Sequence, residues 1–241
     1  CDASPHSPKA NGDGFLPDVA TGSLEGADDV AELGKSVAAV GDTNGDGYGD
    51  VLVGAPYYDY YSGEAYLVTG PWEGHLRVHD VTTTIRWPDN EYYYLVGDGV
   101  AGPGDINGDG FEDTLISGST ASYILLGPVK LTESQDLLSN IDIKVDTATL
   151  GRAAVGRGDF NGDGFDDLVF KDAVDPARLR VIFGGETLPA TLVAGATSIL
   201  IDQPAISDQI GSVHLLNWDG DAKTDILIYA ADRAYVIGGK D

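Results

Sequence analysis

A nine-residue acidic loop that returns four times, an apolar segment directly behind each copy, and 33 glycines with 11 prolines in 241 residues predict an all-β chain. The predicted architecture is a β-propeller of four-stranded antiparallel blades, with four repeats countable. No stretch of about 18 apolar residues is present, which speaks against a transmembrane helix, and the glycine and proline content speaks against a long-helix bundle.

Taken in order, residues 1–30 read as an acidic leader, within which 18–26 is a candidate closing strand for the last blade. Residues 31–241 hold the repeats, near 31–90, 91–148, 149–207 and 208–241. Each repeat opens on an apolar residue and glycine (Leu33-Gly34, Val96-Gly97, Leu150-Gly151, Ile210-Gly211), then an inner strand such as 36–40. The acidic loop follows. Behind it come second strands that start at Val51, Thr114, Leu168 and Ile226, and third strands that close on Gly70, Gly127, Gly184 and Gly238. Their β-branched and aromatic side chains suit a pleated surface. An outer strand such as 76–84 makes four per repeat.

The four loops are Asp42–Asp50, Asp105–Asp113, Asp159–Asp167 and Asn217–Asp225, with first positions 63, 54 and 58 residues apart. Side-chain oxygens at positions one, three, five and nine and a backbone carbonyl at seven converge on a hard cation if the chain turns sharply. Glycines at four and six permit the turn. The candidate ligands are Asp42, Asn44, Asp46, Tyr48 and Asp50, then Asp105, Asn107, Asp109, Phe111 and Asp113. The later loops add Asp159, Asn161, Asp163, Phe165 and Asp167, then Asn217, Asp219, Asp221, Lys223 and Asp225. Tyr48, Phe111, Phe165 and Lys223 would act through their carbonyls. Oxygen donors point to Ca²⁺, up to four ions, and the absence of histidine and cysteine from the loops argues against zinc.

An EF-hand would need a glutamate at position twelve, where this chain has Val53, Ile116, Phe170 and Ile228. Position nine is therefore the last ligand, in the hairpin between the first two strands. In the fourth loop Ala222 replaces the position-six glycine. A positive φ there would cost about 1 kcal/mol, so this loop is expected to bind most weakly.

The run Leu33-Gly34 through Asp50, then Gly54-Ala55-Pro56 and Ala65-Tyr66-Leu67, closely resembles an FG-GAP repeat, the unit of the integrin α-subunit head. The other copies keep the acidic loop and lose Gly-Ala-Pro. The resemblance implies a calcium-bearing propeller blade at each repeat and carries over metal ligands only. Adhesion receptors, bacterial surface proteins, lectins and appendages of secreted enzymes all use such repeats, so the function stays open among them. Rings of this family usually have about seven blades. Three arrangements fit four: a small closed ring, part of a larger one, or association with another chain.

A net charge of −25 repels phosphate backbones and anionic lipid, which disfavours sequence-independent nucleic-acid or membrane-surface binding. The single cysteine, Cys1, rules out an intrachain disulfide. Two readings fit Cys1: the lipid-bearing first residue of a mature bacterial lipoprotein, which would be the sole membrane link, or a boundary that falls there. The stretch Asn11–Phe15 looks like a decayed loop, with Lys9 at its first ligand position. The histidines His6, His75, His79 and His214 are scattered and no G-x-S-x-G or H-E-x-x-H motif occurs, so the chain reads as noncatalytic.

Eight of the twelve tyrosines fall between 57 and 94. Tyr57, Tyr58, Tyr60 and Tyr61 crowd one connection, with Trp72, Trp87, Tyr92, Tyr93 and Tyr94 nearby; exposed, they offer a surface for a protein or glycan ligand. Buried, they are blade-interface residues. The expected function is a calcium-stabilised adhesion or protein-interaction module outside the cell or on its surface. A propeller-type carbohydrate-binding lectin and an appendage of a secreted hydrolase are the alternatives.

Overall fold

The computed structural model describes residues 22–26, 31–80, 83–87, 93–129, 135–136, 140–147, 153–155, 157–172, 175, 178–193, 198–201, 210–230 and 233–239. Cys1, the stretch 11–15, Tyr92 and Leu150-Gly151 lie outside them. Nearly all regular structure is strand. In chain order these are β1 (Gly22–Glu25), β2 (Ser36–Gly41), β3 (Asp50–Ala55), β4 (Glu64–Val68), β5 (Gly74–Arg77) and β6 (Thr83–Arg86). The second repeat contributes β7 (Gly99–Gly104), β8 (Asp113–Ser117), β9 (Ser122–Leu125), β10 (Gln135–Asp136) and β11 (Ile143–Val145). The third has β12 (Ala153–Val155), β13 (Leu168–Lys171), β14 (Leu179–Ile182), β15 (Thr191–Leu192) and β16 (Ser198–Ile201). The fourth has β17 (Ile210–Leu216), β18 (Asp225–Ala230) and β19 (Arg233–Ile237).

Each of the first three repeats forms the expected four-stranded antiparallel meander: β2-β3-β4-β6, β7-β8-β9-β11 and β12-β13-β14-β16. Among the described residues the fourth sheet has three strands, β17-β18-β19. Two departures from expectation concern edges. The outer strand expected over 76–84 divides into β5, a 3₁₀ turn at Val78–Asp80, and β6, and only β6 joins the blade. The stretch expected to close the last blade instead supplies β1, which pairs in parallel with β5 beside the first repeat. A short strand between the third and fourth strands of one repeat also adds in parallel to the outer strand of the repeat before it. β10 joins β6 in this way, and β15 joins β11.

The second and third strands run as unbroken apolar stretches because both of their faces are covered, and the pleat sends alternate residues to opposite neighbours. Leu52 and Leu67 pair across β3 and β4 and are fully buried against the second repeat, in a core with Ile85, Ile116 and Tyr123. Leu115 and Ile124 do the same toward the third repeat, and Val169 and Val181 toward the fourth. Each fully buried leucine or isoleucine stabilises the stack by about 1.5–3 kcal/mol relative to exposure. The other face of the first repeat, with Tyr66 and Val68, is covered by Leu24, Trp72, Leu76 and Val78. Inner strands follow one another sideways, β2 beside β7, β7 beside β12, and β12 beside β17. The described residues do not close this series into a ring.

The meander also fixes two ends. The acidic loops all join first and second strands, so they share one end of the sheets. The connection 56–63 and residues 93–98 lie at the other.

Candidate functional site

In the first loop, positive φ at Gly45 (79°) and Gly47 (90°) curls the chain around its first carboxylate. Asp42 Oδ1 accepts the N–H groups of Gly45 (2.7 Å) and Asp46 (3.1 Å), and Oδ2 accepts that of Gly47 (2.8 Å). Asn44 Oδ1 accepts Asp46 N–H (2.8 Å), Asp46 Oδ1 accepts Tyr48 N–H (2.9 Å), and Asn44 Nδ2 donates to Asp46 Oδ2 (2.9 Å). Asp105 and Asp159 receive the equivalent bonds from Gly108 and Gly110 and from Gly162 and Gly164. Desolvation within the loop raises the Asp42 carboxyl, but the Gly47, Gly45 and Asp46 N–H groups outweigh it and hold the group below the usual carboxylate range.

Position nine, expected as a ligand, acts in this structure as a clamp. Asp50, Asp113, Asp167 and Asp225 are all buried. Asp113 accepts Ile106 N–H at 2.9 Å on one oxygen and Gly127 N–H at 2.8 Å on the other. Thr43 and Gly70 serve Asp50, Phe160 and Gly184 serve Asp167, and Trp218 and Gly239 serve Asp225. One carboxylate thereby ties the start of the hairpin to the end of the third strand. Burial pushes Asp113 up to about 7 and Asp167 up to about 6, against their two N–H bonds. Asp225 moves the other way, because the N–H groups of Trp218 and Gly239 outweigh its desolvation.

The loops stack. Position eight donates its N–H to the position-one carbonyl of the preceding loop: Glu112 to Asp42 (3.2 Å), Asp166 to Asp105 (3.1 Å) and Thr224 to Asp159 (2.7 Å). Position seven lies over the preceding position-four glycine, where an added Cβ would come within 2.6 Å of the Phe111 ring at Gly45 and 2.4 Å of the Phe165 ring at Gly108. Lys223 covers Gly162 in the same manner. The side chains at position seven, expected to matter through their carbonyls, are thus the packing elements between loops. Arg157 adds an ion pair to Glu112 (2.6 Å) at the second junction.

The fourth loop differs from the other three. Asn217 Oδ1 accepts only the Gly220 N–H (2.6 Å), and its Nδ2 donates to the Asp221 carbonyl. Gly220 keeps a positive φ of 81°, whereas Ala222 does not adopt one, so the strain expected at Ala222 is avoided by a different backbone path. That path gives up the position-six bond to the first side chain.

Among the described residues no three His, Cys, Asp or Glu side chains converge as a metal-holding group. In the first three loops positions one, three and five present two carboxylates and an amide, a donor set entirely of oxygen. In kind it fits a hard cation such as Ca²⁺.

At the opposite end, residues 58–61 form one tight turn in which Asp59 (φ 42°), Tyr60 (52°) and Tyr61 (71°) are left-handed, and Tyr93 (69°) joins them from the next connection. Such φ values cost a non-glycine residue about 1–2 kcal/mol each. Tyr60 is 76% exposed, Tyr93 72% and Tyr61 48%. Tyr61 stacks on Tyr93 with ring centres 5.7 Å apart and meets Tyr57 edge-on at 5.3 Å. The Lys35 ammonium lies 4.4 Å over the Tyr57 ring and bonds to its hydroxyl (3.0 Å) and to Glu32 (2.8 Å). Tyr58, also of the expected surface set, is half-buried and packs against the core beneath β1 and β5. Trp87 and Tyr94 also turn inward, stacked at 4.3 Å against the first interface core. Tyr93 joins this surface although it is not among the expected ligand-binding tyrosines; its signal in the sequence is the aromatic run 92–94. A recess of 460 Å³ beside the second loop, bordered by Asn107, Asp109, Pro128 and Asp142, was not foreseen either.

Comparison with known proteins agrees with this geometry. Residues 33–68, which span the first inner strand, loop and hairpin, match the FG-GAP repeat model. Integrin alpha pat-2 of Caenorhabditis briggsae is 31% identical over 130 residues, 51% of this chain and 11% of that protein. Integrin alpha-2 of Bos taurus is 34% identical over 98 residues, 39% of this chain and 8% of its own length. Integrin alpha-PS5 of Drosophila melanogaster is 33% identical over 99 residues, 40% and 10%. The matched region thus spans about a tenth of each of these relatives. Among the described residues no helix is long and apolar enough to cross a membrane.

Proposed function

We propose that this chain, an FG-GAP-type, integrin-alpha-like protein in sequence, is a noncatalytic protein-interaction module of the adhesion kind, acting outside the cell or at its surface. Tyr60, Tyr61 and Tyr93 form its contact surface, and its loops hold Ca²⁺ at the opposite end. The observation that carries this reading is the tyrosine group itself: three exposed rings held by left-handed backbone that packing alone would not require. Rigid aromatic rings give contact area at low entropic cost. Cys1, if lipid-bearing, would tether the module to a membrane.

Asp42, Asn44 and Asp46 would hold one ion, as would Asp105, Asn107 and Asp109, and Asp159, Asn161 and Asp163. Position nine and the position-seven carbonyl complete the proposed sets. Asn217, Asp219 and Asp221 form the weakest. The ion would supply only charge neutralisation and rigidity, because clustered carboxylates repel one another without it. Thermal melts with calcium and with chelator test this: the melting temperature should fall clearly on chelation, and an indifferent melt would show the loops empty. An array of extracellular-matrix proteins beside a glycan array tests the contact surface. Protein probes should capture the wild type and lose the Tyr60→Ala/Tyr61→Ala/Tyr93→Ala variant. Capture by glycans alone would favour the lectin reading, and equal capture of wild type and variant would remove the tyrosines from the site.

A further inference from the structure

We infer that the acidic loops bind cations as a coupled series, in which occupation of one loop raises the affinity of the adjacent loop through a peptide unit that the two share. The inference rests on the calcium reading above and adds to it how the sites regulate one another.

At each junction the peptide unit between positions seven and eight serves two loops. Its carbonyl is the position-seven oxygen assigned above to the cation of its own loop. Its N–H donates to the position-one carbonyl of the preceding loop: the Phe111–Glu112 unit to Asp42 at 3.2 Å, Phe165–Asp166 to Asp105 at 3.1 Å, and Lys223–Thr224 to Asp159 at 2.7 Å. A trans peptide is planar, so its C=O and N–H point in opposite directions and turn together. Fixing the carbonyl therefore aims the N–H, and polarisation along the chain of hydrogen bonds strengthens the bond it makes. The residue that receives this bond is the first ligand of the preceding site. Asp42, Asp105 and Asp159 are also the residues around which their loops curl, each gathering the N–H groups of its own position-four and position-six glycines.

Side chains hold the shared unit in register. On one side of it, Phe111, Phe165 and Lys223 lie over the preceding position-four glycines. On the other, the glycine just before each loop admits the position-eight side chain: Gly41 meets Glu112, Gly104 meets Asp166, and Gly158 meets Thr224. Asp166 grips Asp105 twice, donating its own N–H to the Asp105 carbonyl and accepting the Asp105 N–H on Oδ2 at 3.0 Å. Arg157, of the third repeat, reaches back to Glu112 at 2.6 Å while its N–H donates to the Pro103 carbonyl at 2.7 Å. Position eight of the second loop is thus steadied by the repeat that follows it.

A second path runs beside the first. Position nine, the other proposed ligand at the end of the loop, clamps Gly127 in the second repeat and Gly184 in the third. Just beyond those glycines, Val129 N–H donates to the Thr43 carbonyl at 2.9 Å and Gly185 N–H to the Ile106 carbonyl at 2.8 Å, which is position two of the preceding loop each time. Both routes join adjacent loops only, so the coupling runs between nearest neighbours, as in stacked repeats generally. By linkage it acts equally in both directions across a junction. Electrostatics works against it, since each ion takes negative field away from its neighbours. Salt screens that opposing effect with distance, whereas the bonded contacts persist.

The test titrates the full chain, freed of divalent ions, with calcium at physiological salt, and follows the N–H signals of Gly47, Gly110 and Gly164 by NMR. Each of these groups donates to a position-one carboxylate and so reports on its own loop. In the wild type the curves should be steeper than single-site binding. Asp109→Asn keeps an oxygen for the Phe111 N–H and removes the charge. At calcium concentrations where its Gly110 signal stays at the ion-free position, the affinities read at Gly47 and Gly164 should each be at least about fivefold below wild type. Phe111→Ala keeps the main-chain carbonyl and removes the ring over Gly45. In that background Asp109→Asn should have a smaller effect at Gly47 and its full effect at Gly164. Signals that ignore millimolar calcium at every loop overturn the calcium reading and the coupling with it. Signals that respond along single-site curves, with Gly47 and Gly164 unmoved by Asp109→Asn, overturn the coupling alone.

Discussion

The second and fourth repeats start from the same nine-residue pattern and differ, among the described residues, in how deeply their paired strands are buried. In the second, Asp105 gathers the N–H groups of Gly108, Asp109 and Gly110, and Leu115 and Ile124 vanish under the third repeat. In the fourth, Asn217 accepts only one such N–H, and Leu227 and Val236 stay accessible. The clamp residues diverge as well, Asp113 titrating high under burial and Asp225 low under its N–H bonds. The lesson is that a loop's hydrogen-bond ring is local, whereas its dielectric setting is imposed by what stacks on it.

The largest expected effect is steric. Gly104 has φ of +90°, and a Cβ there would lie 1.9 Å from Asp166 Oδ2, so Gly104→Val should cost about 3 kcal/mol or more in urea unfolding. Leu216→Val, at the matching site of the fourth repeat, should cost under about 1.5 kcal/mol. Equal losses would mean the stacking contact carries no weight.

A smaller contrast should appear in the apolar pairs. Leu115→Ala should destabilise by about 3 kcal/mol, and Leu227→Ala, measured on dilute protein, by about 1 kcal/mol. A fourth-repeat loss as large as the second's would show that its face is covered in solution.

The mildest contrast is in pH. In chelator, Asp113 (about 7) and Asp167 (about 6) sit above the unfolded carboxyl value, so protonation favours the folded chain. Their stabilising contribution is complete below about pH 4 and disappears as pH rises through 6 to 7. Asp225 sits below that value, and its contribution is present above about pH 4 and lost on further acidification. The melting temperature of the chelated protein should therefore rise from about pH 8 to about pH 5.5. Asp113→Asn should flatten the slope and Asp225→Asn should leave it intact. A wild-type slope of the opposite sign would show that other groups dominate.

Much of this was legible in the residues themselves. The loops from Asp42, Asp105, Asp159 and Asn217 fall between first and second strands as their spacing implies, since glycines at fixed offsets turn the chain without help from elsewhere. The apolar runs behind them become the buried strands. The role of Phe111 and Phe165 as covers for Gly45 and Gly108 was not legible, because it joins residues more than 50 positions apart. Nor was the inward turn of Tyr58 beside the outward turn of Tyr60, neighbours whose directions are set by three left-handed residues.

Sequence alone determined the number of loops, the chemistry of their donors and the meander of each repeat, because hairpin turns and pleat alternation are properties of a few consecutive residues. Tertiary structure alone decided that β1 joins β5, that Asp113 and Asp225 titrate in opposite directions, and that Leu227 and Val236 remain open. Strand partners, burial and exposed edges depend on which repeat lies alongside, and no local stretch of residues encodes its neighbour.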